Sequence, residues 1–132
     1  MKLNKEILLN VNNLCIRTTE KTKQQNLIDG ISFKIKKNEI IGLIGESGSG
    51  KSLTSLSILG LLEKNKFNIS GEIIFDKKNL LNLDNNAMME IRGSEISMIF
   101  QEPMSALNPT MKIGKQLFEV FKAHKNLSFE HT

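Results

Sequence analysis

The sequence predicts an α/β fold in three parts: an antiparallel β-unit, a strand–loop–helix core, and the beginning of a helical part. Three observations predict it. Ile31, Phe33 and Ile35 alternate with Ser32, Lys34 and Lys36, the period of a half-exposed strand. Ile40 to Ile44 is instead a continuous apolar run, expected of a strand covered on both faces in a parallel sheet. That run enters a glycine-rich stretch and then a segment with leucines at helical spacing.

The elements follow in order. Residues 7–17 read as a strand, with Leu9, Val11 and Ile16 among polar neighbours, and 19–26 as a polar loop. The alternating run at 31–36 follows, and Lys37-Asn38 makes a turn, so 7–38 form an antiparallel β-subdomain. Residues 39–62 hold the apolar strand, the glycine-rich loop and a helix through about Leu62, with Leu53, Leu56, Leu59 and Leu62 on one side. Gly71 to Phe75 is another strand and Asp76-Lys77-Lys78-Asn79 its turn. Asp84 caps a short helix carrying Met88, Met89 and Ile91, which Gly93 ends. Ile96 to Phe100 is a second buried strand and 101–109 a Pro-bearing loop. Residues 110–132 begin a helical subdomain, with Ile113, Leu117, Val120 and Phe121 in register and Ser128 as a further cap.

Composition removes several classes. With 132 residues, 39% apolar and a net charge of +4, the chain is long and apolar enough to bury a core. Its longest apolar stretches fall far short of a bilayer span, and Asn10 interrupts the only apolar run near the N-terminus. The lone Cys15 cannot form an internal disulfide, which fits a reducing cytosol, and reads as a small buried hydrophobe. Most basic residues are scattered lysines, with only Arg17 and Arg92 as arginines and no Trp or Tyr. Nucleic acid is therefore not an expected partner.

Residues 45–52, Gly45-Glu46-Ser47-Gly48-Ser49-Gly50-Lys51-Ser52, match Gly-x-x-x-x-Gly-Lys-[Ser/Thr] throughout. Gly48 and Gly50 let the backbone curl so that successive N–H groups face phosphate oxygens. The helix that follows adds its N-terminal dipole and free N–H groups. Lys51 is placed to reach the β- and γ-phosphates, and the Ser52 hydroxyl to bind Mg²⁺. These residues predict a nucleoside triphosphate site. A GTPase would also need Asn-Lys-x-Asp, which is absent; a small-molecule kinase usually brings an arginine-rich lid, and two arginines are few.

A second segment narrows the choice. Ile96-Ser97-Met98-Ile99-Phe100-Gln101-Glu102-Pro103-Met104-Ser105-Ala106-Leu107-Asn108-Pro109, together with the loop at 45–52, resembles the ATP-binding subunits of ABC transporters. The resemblance is to the oligopeptide, dipeptide and nickel importers, and Met104 is more like the first such subunit than the second. It covers essentially the whole chain. It implies an ABC-type P-loop NTPase core, ATP and Mg²⁺ as cofactors, and 96–109 as the Q-loop segment. Lys51 and Gln101 would be catalytic, with Gln101 joining Ser52 at Mg²⁺ and contacting the attacking water. An amide that both donates and accepts suits that task. The loop 102–109 would meet the membrane subunits at the cytoplasmic face of the membrane, where the protein is peripheral. A second homologous ATPase subunit and, indirectly, an extracytoplasmic binding protein complete the implied partners.

Departures accompany the resemblance. Members stack adenine on an aromatic from the first strand, but no aromatic precedes Phe33 here and Thr18 takes that place. Leu-Ser-Gly-Gly-Gln, an acidic pair ending an apolar strand, and the switch histidine are absent. Ile73-Ile74-Phe75-Asp76 mimics such a strand, yet Lys77 stands where a catalytic glutamate is wanted, so Asp76 reads as a turn residue. His124 and His131 read as surface residues and Met88 and Met89 as core filling. The expected whole is the N-terminal portion of one ATPase domain, incomplete at its C-terminus and inactive alone. The alternative is a regulatory module that binds nucleotide without hydrolysing it.

Overall fold

The computed structural model describes residues 6–20, 24–102 and 107–125, with the side chains of 123–125 left aside. The chain divides into two compact units, Met1–Asp84 and Asn85–Thr132.

The first unit is built on one sheet. Its strands are β1 (Ile7–Thr18), β2 (Asn26–Lys36), β3 (Phe67–Phe75) and β4 (Lys78–Asn79). They lie in the order β2-β1-β3-β4, each pair antiparallel. The hairpin expected across 7–38 is present as β1 and β2, and β3 and β4 extend the sheet beyond it.

β1 owes its central place to its apolar face. Leu9, Val11, Leu14 and Ile16 are all buried, although Val11 and Leu14 are three residues apart. Strict alternation would put Leu14 on the opposite face from Val11. A bulge at Asn12-Asn13 corrects the phase: the register with β3 shifts between Asn12 and Cys15, and Asn13 takes φ 48°. The Asn13 amide then donates to Ser32 Oγ at 2.8 Å. Gly71 of β3 lies against this bulge at φ +102°, where an added Cβ would stand 2.3 Å from the Asn13 carbonyl oxygen. Only glycine fits there. Among the described residues, Ile28, Ile73, Phe75, Leu80, Leu59 and Leu62 are the other buried apolar side chains of this unit.

Turn chemistry joins β3 to β4. Asp76 and Lys77 both have positive φ, 43° and 69°, as a two-residue type I′ hairpin demands. The expected turn is thus where the structure has one. Asn79 Oδ1 then accepts from the Ile73 and Leu81 amides at 3.3 and 3.2 Å. This leads into a 3-10 turn, Leu80–Asn82.

Helix α1 (Lys51–Ile58) ends before the expected Leu62. Gly60 at φ 61° stops it, donating to Ser57 O at 3.1 Å while Leu61 N donates to Leu56 O at 2.9 Å. This pair of bonds is a Schellman stop. Thr54 and Ser57 are the buried residues of α1; Leu53 and Leu56 are only half-buried.

The stretch 40–44, expected as a buried strand, has no strand partner among the described residues. Ile40 and Ile44 are 99% and 95% exposed. A parallel central strand exists only by hydrogen bonding to neighbours on its edges, and its apolar faces need cover. The described residues offer neither.

In the second unit, α2 (Asn85–Ile91) follows Asp84 as expected. It buries Met88 and Ile91 and exposes Met89, so only one of the two methionines fills a core. Gly93 ends it at φ 82°. The predicted strand at 96–100 is reduced to one bridge, Arg92 with Ile96, and Ile99 is 92% exposed. The reason is the same as at 40–44. Helix α3 (Ile113–Lys125) carries the expected apolar stripe, but Ile113, Leu117, Val120 and Phe121 are open to solvent. The expected cap at Ser128 lies outside the described residues.

Candidate functional site

The glycine-rich loop is assembled by three local devices. Gly50, the residue before α1, adopts φ 94°, and an added Cβ would lie 3.0 Å from Ile28 Cγ1. The chain can therefore reverse close against β2 only with glycine there. Gly45 leaves room for the Ser49 hydroxyl, since an added Cβ would stand 2.5 Å from Ser49 Oγ and 3.2 Å from Ser49 Cβ. The Ser49 amide donates to Glu46 O at 3.2 Å, closing the tight turn between them.

Lys51 completes the loop. Its ammonium donates to the carbonyls of Gly45 at 2.8 Å and Glu46 at 2.6 Å, and to Ser49 Oγ at 3.2 Å. The lysine from the first helical position thus folds back over the loop that precedes it. A cation is held at the mouth of a ring of backbone groups.

The helix supplies the rest of the anion site. The first-turn amides of Lys51, Ser52 and Leu53 have no intrahelical acceptor, because only Thr54 N begins the ladder, to Gly50 O at 2.8 Å. No acidic residue stands in that first turn to compete for them. Ser52 is exposed there, while Gly45 to Ser49 are exposed and Gly50 is buried. Free amides, a dipole, a lysine and a hydroxyl on one turn fit the phosphates of a nucleotide and the Mg²⁺ they carry. The buried hydroxyls behind them are satisfied: Thr54 Oγ1 donates to Gly50 O at 2.9 Å and Ser57 Oγ to Thr54 O at 2.7 Å.

The other expected positions divide. Gln101 belongs to the second unit, in an exposed bend after the open 97–100 stretch. Pro103, Met104, Ser105 and Ala106 of the expected contact loop lie outside the described residues, as does His131. Thr18 is half-buried at the end of β1, where its Oγ1 accepts from the Gln25 amide at 3.0 Å. Asp76 occupies the hairpin turn. Among the described residues no group of His, Cys, Asp or Glu could hold a metal. Cys15 is half-buried rather than buried, with Sγ 3.7 Å from Asn13 O. No helix among the described residues is long and apolar enough to cross a membrane.

One feature of the 96–109 segment escaped sequence reasoning. Asn108 Oδ1 accepts from the amide of Thr110 at 3.0 Å and from its hydroxyl at 2.7 Å, an Asx turn. Gln116, one turn into α3, clamps that turn: its Oε1 accepts from Asn108 N at 3.0 Å, and its Nε2 donates to Asn108 O and Met111 O at 2.9 Å each. The Asn-Pro-Thr run before a helix carried the signal for the turn. The contribution of Gln116 had none.

The family model described as "ABC transporter" matches residues 28–131. The chain is 48% identical over 121 residues to the oligopeptide transport ATP-binding protein AppD of Bacillus subtilis, a match that covers 91% of this chain and 37% of that protein. It is 44% identical over 118 residues to the oligopeptide transport ATP-binding protein OppD of Haemophilus influenzae, covering 89% and 36%. To the dipeptide transport ATP-binding protein DppD of B. subtilis it is 44% identical over 124 residues, covering 93% and 37%. The chain thus spans little more than a third of the length of the curated relatives it matches.

Proposed function

Because the chain belongs to the ABC transporter family, we propose that it is the nucleotide-binding front portion of a subunit that couples ATP hydrolysis to import of peptides or a related small solute. The observation that carries this reading is the Lys51 ammonium held over the Gly45–Glu46 carbonyls at the first turn of α1. That arrangement serves triphosphates, and the relatives it occurs beside are named for oligopeptide and dipeptide transport.

The roles follow from the chemistry. The amides of 45–52 cradle the phosphates, Lys51 neutralises them, and Ser52 binds Mg²⁺. Gln101 would join Ser52 in holding that ion, its amide suited to orienting water. The segment 102–109, with its Asn108 turn clamped by Gln116, meets membrane subunits on the cytoplasmic face. A second, similar ATPase subunit and an extracytoplasmic binding protein complete the assembly.

The purified chain is expected to bind Mg-ATP weakly and to hydrolyse none. Hydrolysis by the chain alone, abolished by Lys51→Ala, would overturn this. In the assembled transporter Gln101→Ala should lower transport while nucleotide binding survives; equal loss of both would refute the Gln101 assignment.

A further inference from the structure

We propose that Phe67, at the start of β3, is the platform on which the base of the bound nucleotide stacks. The inference deepens the nucleotide reading above and rests on it. A nucleobase is a flat aromatic ring, and a protein holds one best against another ring, a contact tolerant of base identity. The end of β1 offers none: it reads Arg17-Thr18-Thr19, and its Thr18 Oγ1 accepts from the Gln25 amide. Thr19 is tied to the Asn65 and Lys66 carbonyls. Directly across the ladder from Thr18, however, stands Phe67.

Register places that ring on the right face. Thr18 pairs with Phe67 and Ile16 with Ile69, with no irregularity between the two pairs, so all four side chains share one face of the sheet. On the other side, Ile16 pairs with Ile28. Ile28 is the side chain against which Gly50 of the phosphate loop rests. The face that carries Phe67 is therefore the face that the loop approaches. From Ile28 to Phe67 is two strand spacings across and two residues along, roughly 12 Å. An extended nucleoside triphosphate with its phosphates in the loop covers that span.

The other rings of this unit do not compete. Phe33 pairs with Val11 and Phe75 with Leu9, both toward the opposite end of β1 from Thr18. Phe75 is also buried, whereas Phe67 is only half-buried.

The test separates base from phosphate. The chain has no Trp or Tyr, so Phe67→Trp introduces its sole indole. Titration of that variant with millimolar Mg-ATP should quench its emission, and inorganic tripolyphosphate should not. By calorimetry, Phe67→Ala should weaken ATP about tenfold or more and leave tripolyphosphate unchanged. Phe67→Leu, which keeps apolar bulk, should weaken ATP likewise, with its circular dichroism reporting an intact fold. Equal ATP affinity in Phe67→Leu and the unaltered chain overturns the inference, as does equal quenching by tripolyphosphate. If tripolyphosphate binds in a Lys51-dependent way while Phe67 is silent, only this inference falls. If neither ligand binds the unaltered chain, the nucleotide reading falls and takes it along.

Discussion

The Lys51 ammonium lies 2.6 Å from the carbonyl oxygen of Glu46, five residues earlier in the chain. A long side chain is thereby folded back over the loop that precedes it. Lys51→Ala should cost triphosphate affinity at least tenfold, since a charge-assisted contact disappears. Folding stability should change by less than about 1 kcal/mol, because the bonds it makes are exposed. Calorimetric titration beside a denaturant midpoint checks both halves. A large loss of stability would mean that the lysine is chiefly structural.

Gly71 and Gly114 should respond oppositely to alanine. At Gly71 the new Cβ would meet Asn13 backbone atoms at 2.3 and 2.7 Å, in a backbone region that alanine avoids. That carbonyl group cannot move without undoing the bulge that turns Leu14 inward. Gly71→Ala should destabilise the chain by about 2–4 kcal/mol. At Gly114, in the first turn of α3, nothing lies within 4 Å, and Gly114→Ala should stabilise that helix by roughly 0.5–1 kcal/mol. Thermal melts of the two variants decide the matter.

The Asp76-Lys77 hairpin gives a prediction about function as well as stability. Both residues have positive φ, so Asp76→Asn with Lys77→Gly should stabilise the sheet by about 0.5–1.5 kcal/mol. A catalytic acid at position 76 would behave differently. Asp76→Asn alone should leave Lys51-dependent nucleotide binding unchanged, and a clear loss would return Asp76 to the site.

Lys37 Nζ donates to Glu6 at 2.7 Å, and both side chains are largely exposed. That hydrogen bond, reinforced by charge attraction, holds the Glu6 carboxyl below its ordinary value and the Lys37 ammonium above its own. With its folded value depressed, Glu6 contributes above the ordinary glutamate range and loses that contribution as pH falls through the folded value. Lys37 contributes below the ordinary lysine value and loses that contribution as pH rises through its raised folded value. The pair is thus intact across neutral pH, and salt should weaken it. NMR titration of the Glu6 carboxyl should show its pKa rising toward the ordinary value in Lys37→Ala. An unchanged titration would show that the pair is idle in solution.

Much of the candidate site is local, and that is why it could be read. Gly45 to Ser52 are contiguous, and the geometry they need, a positive φ at Gly50 and room at Gly45, is inscribed in residue type. The turn at 37–38 and the hairpin at 76–77 were legible for the same reason: turn residues act within four positions. The bulge at Asn12-Asn13 was not, because its cause is a neighbour 58 residues on, Gly71 against Asn13. The Gln116 clamp also escaped, since an amide has no periodicity to betray its partner.

By itself the sequence determined the phosphate loop, the alternating strands and the family, all properties of residues close together along the chain. Only the tertiary structure decided which apolar runs became strands. Ile31 to Ile35 found β1 beside it and became β2, whereas Ile40 to Ile44, more apolar still, found no ladder partner among the described residues and stayed exposed. Hydrophobicity makes a strand favourable to bury, but hydrogen bonds to a neighbour make it a strand. The same dependence brings Phe67 opposite Thr18: 49 positions apart in the chain, they meet because β1 and β3 pair in that register and no other.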